Sequence, residues 1–149
     1  MMTIILVSIL GAIISAVVGT FWYSNATPMG KVHMAYLGFD KLSKEEQQKK
    51  MKEAAPKMWK SYLLQMILSA ITSLFIVTVL KQTVQYGVSA NMIYGYIVMI
   101  WGAFVIPLTG SALLWSNCDR KLVWKKFFSD IFCNLLTYIL IAFVASFFV

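Results

Sequence analysis

Asp130 and Asn134, four residues apart in an otherwise apolar stretch (FFSDIFCNLLTYILIAFVASFFV), are the side chains best placed for chemistry in this chain. Helical periodicity puts Asp130, Cys133, Asn134 and Thr137 on one face. A carboxylate at membrane depth either takes up a cation or a proton, or is neutralised by a basic neighbour. Both uses of Asp130 are open, because Lys125, Lys126 and Arg120 precede it in the same segment, as does a helix-start amide. Asn134 either bonds to a neighbouring helix or contacts a ligand. Gln65 and Ser69, with Ser61 and Thr72, make a second polar stripe on an earlier apolar segment. With the two stripes facing each other, Gln65, Ser69, Asp130, Asn134 and Thr137 would form one polar pocket.

Other reactive residues do not assemble into a recognisable constellation. Ser24, His33 and Asp40 share a segment, but no spacing fixes them as nucleophile, base and charge stabiliser, so no catalytic residue is assigned. The single His33 builds no histidine metal site, and no metal or cofactor is expected. Cys118 and Cys133 fit neither a metal spacing nor a redox motif, and a disulfide between them is not expected. No glycine-rich phosphate loop is present.

The elements that must carry these residues are apolar and long. In 149 residues, 60% are hydrophobic, and the mean hydropathy is +0.74. Four such runs cannot be hidden inside one soluble domain of this size. The expectation is an all-α integral membrane four-helix bundle in one domain, 1–149, with spans at 3–22, 61–80, 92–115 and 127–149. The first run lacks a basic leader and exceeds the length usual for a signal peptide, so it is read as a span, closed by Phe21, Trp22 and Tyr23 as an interfacial aromatic belt. Gly11, Ser15 and Gly19 recur at four-residue spacing, where small residues let another helix approach, within the bundle or between chains. Gly102 and Gly110, with Gly95, lie on roughly one face of the third span, and Pro107 predicts a kink between Ala103 and Pro107.

Residues 24–60 form the longest polar segment. SNATPMGK reads as turn, Ser43 and Glu46 read as a capping box, and Pro56 ends the short amphipathic helix that follows or starts the next one. The net charge of +7 reflects cations gathered in this segment and in 116–126; of the 13 Lys and Arg residues, only Lys81 lies elsewhere. Basic loops face the cytoplasm, so both termini are expected outside a multi-pass protein of the inner (plasma) membrane. Nucleic acid is not an expected partner, since no aromatic and basic interleaving accompanies the charge. The bilayer is.

Gly19 through Met34 (GTFWYSNATPMGKVHM), and Trp101 to Ser111 followed by the basic turn and Asp130, carry a family resemblance. The matching positions are Gly19, Trp22, Tyr23, Ser24, Pro28, Gly30, Lys31, Met34, Trp101, Gly102, Phe104 and Pro107. Here the chain resembles a prokaryotic family catalogued as a domain of unknown function, number seventeen sixty-one. His33 stands where that pattern has Trp. The resemblance implies a small four-helix membrane protein and supplies no activity, substrate or catalytic residue. Two functions therefore stand side by side. One is a homo-oligomeric transport or ligand-binding module with a cytosol-facing polar pocket for an unspecified ligand or ion. The other is a non-catalytic protein of membrane assembly or regulation.

Overall fold

Apolar segments satisfy their backbone groups most directly by coiling on themselves. The computed structural model describes residues 2–148, and among them there are helices and turns but no strand. The expected last-span end at Val149 lies outside the described residues. The helices are α1 (Met2–Trp22), α2 (Pro28–Tyr36), α3 (Lys44–Gln85), α4 (Ala90–Ile100), α5 (Ile106–Leu114) and α6 (Arg120–Ser146). Four stretches are long and apolar enough to cross a membrane: Ile4–Trp22, Met58–Gln85, Met92–Leu114 and Arg120–Ser146.

The polar segment holds two departures from expectation. Thr27 and Pro28 open a helix rather than a turn. The Thr27 hydroxyl caps the N–H of Gly30 at 2.9 Å, and Pro28 takes an early helical position where its missing N–H costs nothing. The second correction concerns Pro56. The expected capping box forms, with the Ser43 N–H donating to Glu46 at 2.8 Å and the Glu46 N–H donating to the Ser43 hydroxyl at 3.2 Å. These bonds, the backbone one foremost, hold the Glu46 carboxyl below the usual carboxylate range. The helix they start does not stop at Pro56. It runs for 42 residues, about 63 Å, as one element with the second apolar stretch, so the expected short helix is the first part of α3. Pro56 sits where every surrounding side chain described is exposed, so the Lys52 carbonyl it deprives of a partner can be hydrated.

The kink expected near Pro107 takes the form of a π turn over Trp101–Val105, in which the Ile106 N–H reaches five residues back to the Trp101 carbonyl. The wider turn accommodates the proline ring just beyond it, a usual origin of such a break.

The apolar core lies at one end of the molecule. Val7 of α1, Val77 and Leu80 of α3, Ile93 of α4, and Ile141 and Ala145 of α6 meet there, all nearly inaccessible. Gly11 lets α1 and α3 close on one another: a Cβ at that position would lie 2.3 Å from the Ser73 hydroxyl oxygen and 3.3 Å from Ile141. The Ser15 hydroxyl turns back onto the Gly11 carbonyl at 3.0 Å. Gly110 faces Phe127 of α6, with 3.4 Å to a Cβ built there. At Gly19 and Gly102, by contrast, an added Cβ meets nothing within 4 Å, so the close approach expected at these two is absent within the chain.

Past Ser69, α3 leaves its neighbours. From Met58 to Leu68 it is exposed on every face, with large apolar side chains ranging from 37% at Met66 to 62% at Tyr62. Three turns of an apolar span are thus exposed on every face, without a covering element among the described residues.

The glycine geometry predicts an asymmetric response. Gly11→Ala should cost about 1–3 kcal/mol through overpacking against Ser73, whereas Gly19→Ala should stay within about 0.5 kcal/mol or gain slightly. Melting temperatures of both variants in one lipid measure this. Equal losses would contradict the assigned packing.

Candidate functional site

At the opposite end from the apolar core, α6 presents three consecutive residues to three aromatic donors. The Trp22 indole N–H donates to the Ser129 hydroxyl at 3.0 Å, the Tyr23 hydroxyl donates to Asp130 Oδ1 at 2.6 Å, and the Trp101 indole N–H donates to the Ile131 carbonyl at 2.8 Å. Trp22 and Tyr23 come from the end of α1, and Trp101 from the π turn. Each is a large apolar ring whose one polar atom needs a partner away from water, and each finds it on the same helix.

Asp130 is neutralised from its own helix. The Lys126 ammonium, one turn earlier, pairs with both carboxylate oxygens, and the two side chains are 8% and 18% exposed. Lys126 also lies 4.9 Å from the Tyr23 ring centroid and 5.8 Å from that of Tyr36, within cation–π range of both. Burial, and then the bond to Asp130, push the Tyr23 phenol well above its ordinary value, so Tyr23 remains a proton donor. The carboxylate, the ammonium and the phenol form a closed set.

The turn after α1 is shaped to deliver Tyr23. The Thr27 hydroxyl lies 2.6 Å from the Trp22 carbonyl while accepting from Gly30, and this turns α2 away from the end of α1 and onto α6. Gly30 has no alternative, since a Cβ there would stand 1.8 Å from the Ser24 carbonyl oxygen. His33, on α2, packs against Tyr23 with 4.8 Å between ring centroids and the rings tilted at 46°, and its Nδ1 is shielded and without a hydrogen-bond partner among the described residues. Burial first, and Lys126 second, hold the His33 pKa below its ordinary 6.5, with Asp130 pulling the other way. A depressed folded value means that the stability from neutral His33 is fully present above its ordinary pKa and is lost progressively as pH falls from there through the lower folded value.

The residues singled out from sequence divide into two groups. Asp130, Asn134 and Thr137 share α6, but Asn134 donates to the Asp130 backbone carbonyl at 2.9 Å and Thr137 to the Cys133 carbonyl at 2.8 Å, so both bond back to their own helix. Gln65 is exposed on α3, and its amide reaches only Ser69, at 3.5 Å. No hydrogen bond among the described residues joins Gln65 or Ser69 to Asp130. Cys133 is a buried free thiol, and Cys118, also free, approaches the Tyr36 carbonyl at 3.6 Å.

Sequence reasoning placed Trp22 and Tyr23 in an interfacial aromatic belt and missed them as partners of Asp130. The signal available was the pairing of a phenol with a carboxylate at the same membrane end. Away from this cluster, a cavity of about 220 Å³ lies by the core end, lined by Ile4, Val7, Val77, Lys81, Val84, Gln85 and Phe148.

The geometry predicts that charge removal is costly singly and cheap in a pair. Asp130→Asn, leaving Lys126 buried without its counter-charge, should cost about 3 kcal/mol, while Lys126→Met combined with Asp130→Asn, whose amide oxygen can still accept from Tyr23, should recover most of that loss. Denaturant unfolding in mixed micelles reads both. A double variant as unstable as the single one would show that the charges do not compensate each other.

Compared with known proteins, residues 6–146 match the model of a family described as "Protein of unknown function (DUF1761)", which covers nearly the whole chain. No curated protein and no solved structure matches it.

Proposed function

Since the chain belongs to the DUF1761 family, whose description assigns no activity, we propose from its geometry that it is a non-catalytic membrane protein that works by associating with another membrane component through its helices. In this reading it is a multi-pass protein of the plasma membrane, with both termini outside and the basic segments 24–60 and 116–126 in the cytoplasm, as the distribution of Lys and Arg favours. The observation that carries the proposal is the closure of the Asp130 site: Lys126 and Tyr23 already occupy the carboxylate. A cation or substrate would have to displace a buried ammonium and a short phenolic hydrogen bond. The pocket reading, in which Gln65, Ser69, Asp130, Asn134 and Thr137 hold a ligand, is less well supported, because Gln65 is exposed and far from bonding to Asp130. Helix association also gives a purpose to an apolar stretch of α3 that lacks neighbours.

Chemical crosslinking in native membranes, before any detergent, tests this. The chain is expected in a species larger than one copy, and the charge-free pair Lys126→Met, Asp130→Asn is expected to keep it. Only single chains would contradict the association role. Single cysteines at Lys50, Arg120 and Gln85 check the orientation: impermeant thiol reagents should reach the first two from the cytoplasmic side and the third from outside.

A further inference from the structure

The unpartnered part of α3 has a pattern of its own. Met51, Ala54, Met58, Ser61, Gln65 and Leu68 recur at alternating intervals of three and four, the spacing of a coiled-coil seam. All six are exposed. None is charged, although Glu45, Glu46, Lys49, Lys50, Lys52, Glu53, Lys57 and Lys60 crowd the same helix. Pro56 falls on the side facing away from the seam, where its ring and the unpaired Lys52 carbonyl obstruct nothing.

One residue on the stripe specifies what covers it. Gln65 lies about 10 Å inside the apolar stretch that begins at Met58, and its amide has a single contact at the limit of hydrogen bonding. Acyl chains offer such an amide neither a donor nor an acceptor. A second amide at the same depth offers both. Two copies of one chain in one bilayer necessarily run parallel, so residue 65 of each meets residue 65 of the other, with the remaining stripe residues in register.

We propose that α3 is a self-association seam, in which Met51 to Leu68 pair in parallel with the same segment of a second copy and the Gln65 amides hydrogen-bond across the axis. This rests on the association role proposed above and names its partner. The contact runs about 26 Å along the helix, crossing from the lysine-bearing part into the apolar part. The one amide in the seam, Gln65, fixes register as buried amides do in coiled coils, while the smaller hydroxyl of Ser61 lets the backbones approach.

Cysteine scanning in native membranes tests the seam. In a background of Cys118→Ser and Cys133→Ala, Ser61→Cys and Leu68→Cys should form disulfide-linked dimers on mild oxidation. Leu63→Cys and Ile67→Cys, on the opposite face, should do so several-fold less. Gln65→Leu should lower the Ser61→Cys dimer yield about threefold, the size of a typical interhelical hydrogen bond in a membrane, and Gln65→Asn should largely retain it. All variants are checked for wild-type melting. Equal crosslinking on both faces, or none, overturns the seam. Adducts with a different protein at Ser61→Cys also overturn it while preserving the wider association role, whereas single chains under every crosslinker overturn both.

Discussion

A carboxylate one turn into the apolar part of a helix must find a counter-charge and donors before the helix can sit in a bilayer, and Asp130 is that carboxylate. Lys126 supplies the charge from one turn back. Tyr23 supplies the donor from 107 residues away. This long-range bond constrains everything around it: α1 must end level with the end of the third turn of α6, and α2 must turn back onto α6. Thr27 and Gly30 make that reversal, the first by capping and the second by having no Cβ where the Ser24 carbonyl passes. Trp22 and Trp101 then bond on either side of Asp130, so that the end of α1 and the π turn are held to the same stretch of α6.

The two ends of the molecule are therefore built differently. At one end, small and branched side chains around Gly11, Ser73 and Ile141 let α1, α3 and α6 approach closely, and packing does the work. At the other end, hydrogen bonds and one ion pair hold α1, α2, the π turn and α6 together without α3. The third helix, α3, departs between them, and its N-terminal half carries Gln65 with it. A carboxylate already paired with Lys126 and Tyr23, and an apolar stretch of α3 exposed on every face among the described residues, are the two observations behind the proposed association role.

Much of the helical content was legible in sequence because it follows from composition and length. The four apolar runs, the Ser43 capping box and the distortion before Pro107 each rest on a local rule, and local rules do not depend on what the rest of the chain does. Asp130 was legible as a site for the same reason. The partners were not. Nothing in the spacing of Tyr23 to Asp130 encodes their meeting, and the belt reading of Trp22 and Tyr23 treated their polar atoms as facing headgroups. Pro56 misled in the other direction. Proline costs a helix one hydrogen bond, and a capped, hydrated helix with an apolar continuation absorbs that cost, so α3 passes through it. Gly19 and Gly102 looked like packing residues by period alone, but period does not say whether a neighbour is present.

The central claim is that Tyr23 and Asp130 act as one unit that fixes the end of α1 to α6. A double-mutant cycle of Tyr23→Phe and Asp130→Asn, with unfolding free energies measured in the same lipid, addresses it directly. Because the bond joins a phenol to a charged acceptor, the account predicts a coupling energy of about 1.5–3 kcal/mol between the two substitutions. Strict additivity, with Tyr23→Phe costing the same whether or not residue 130 is charged, would contradict it.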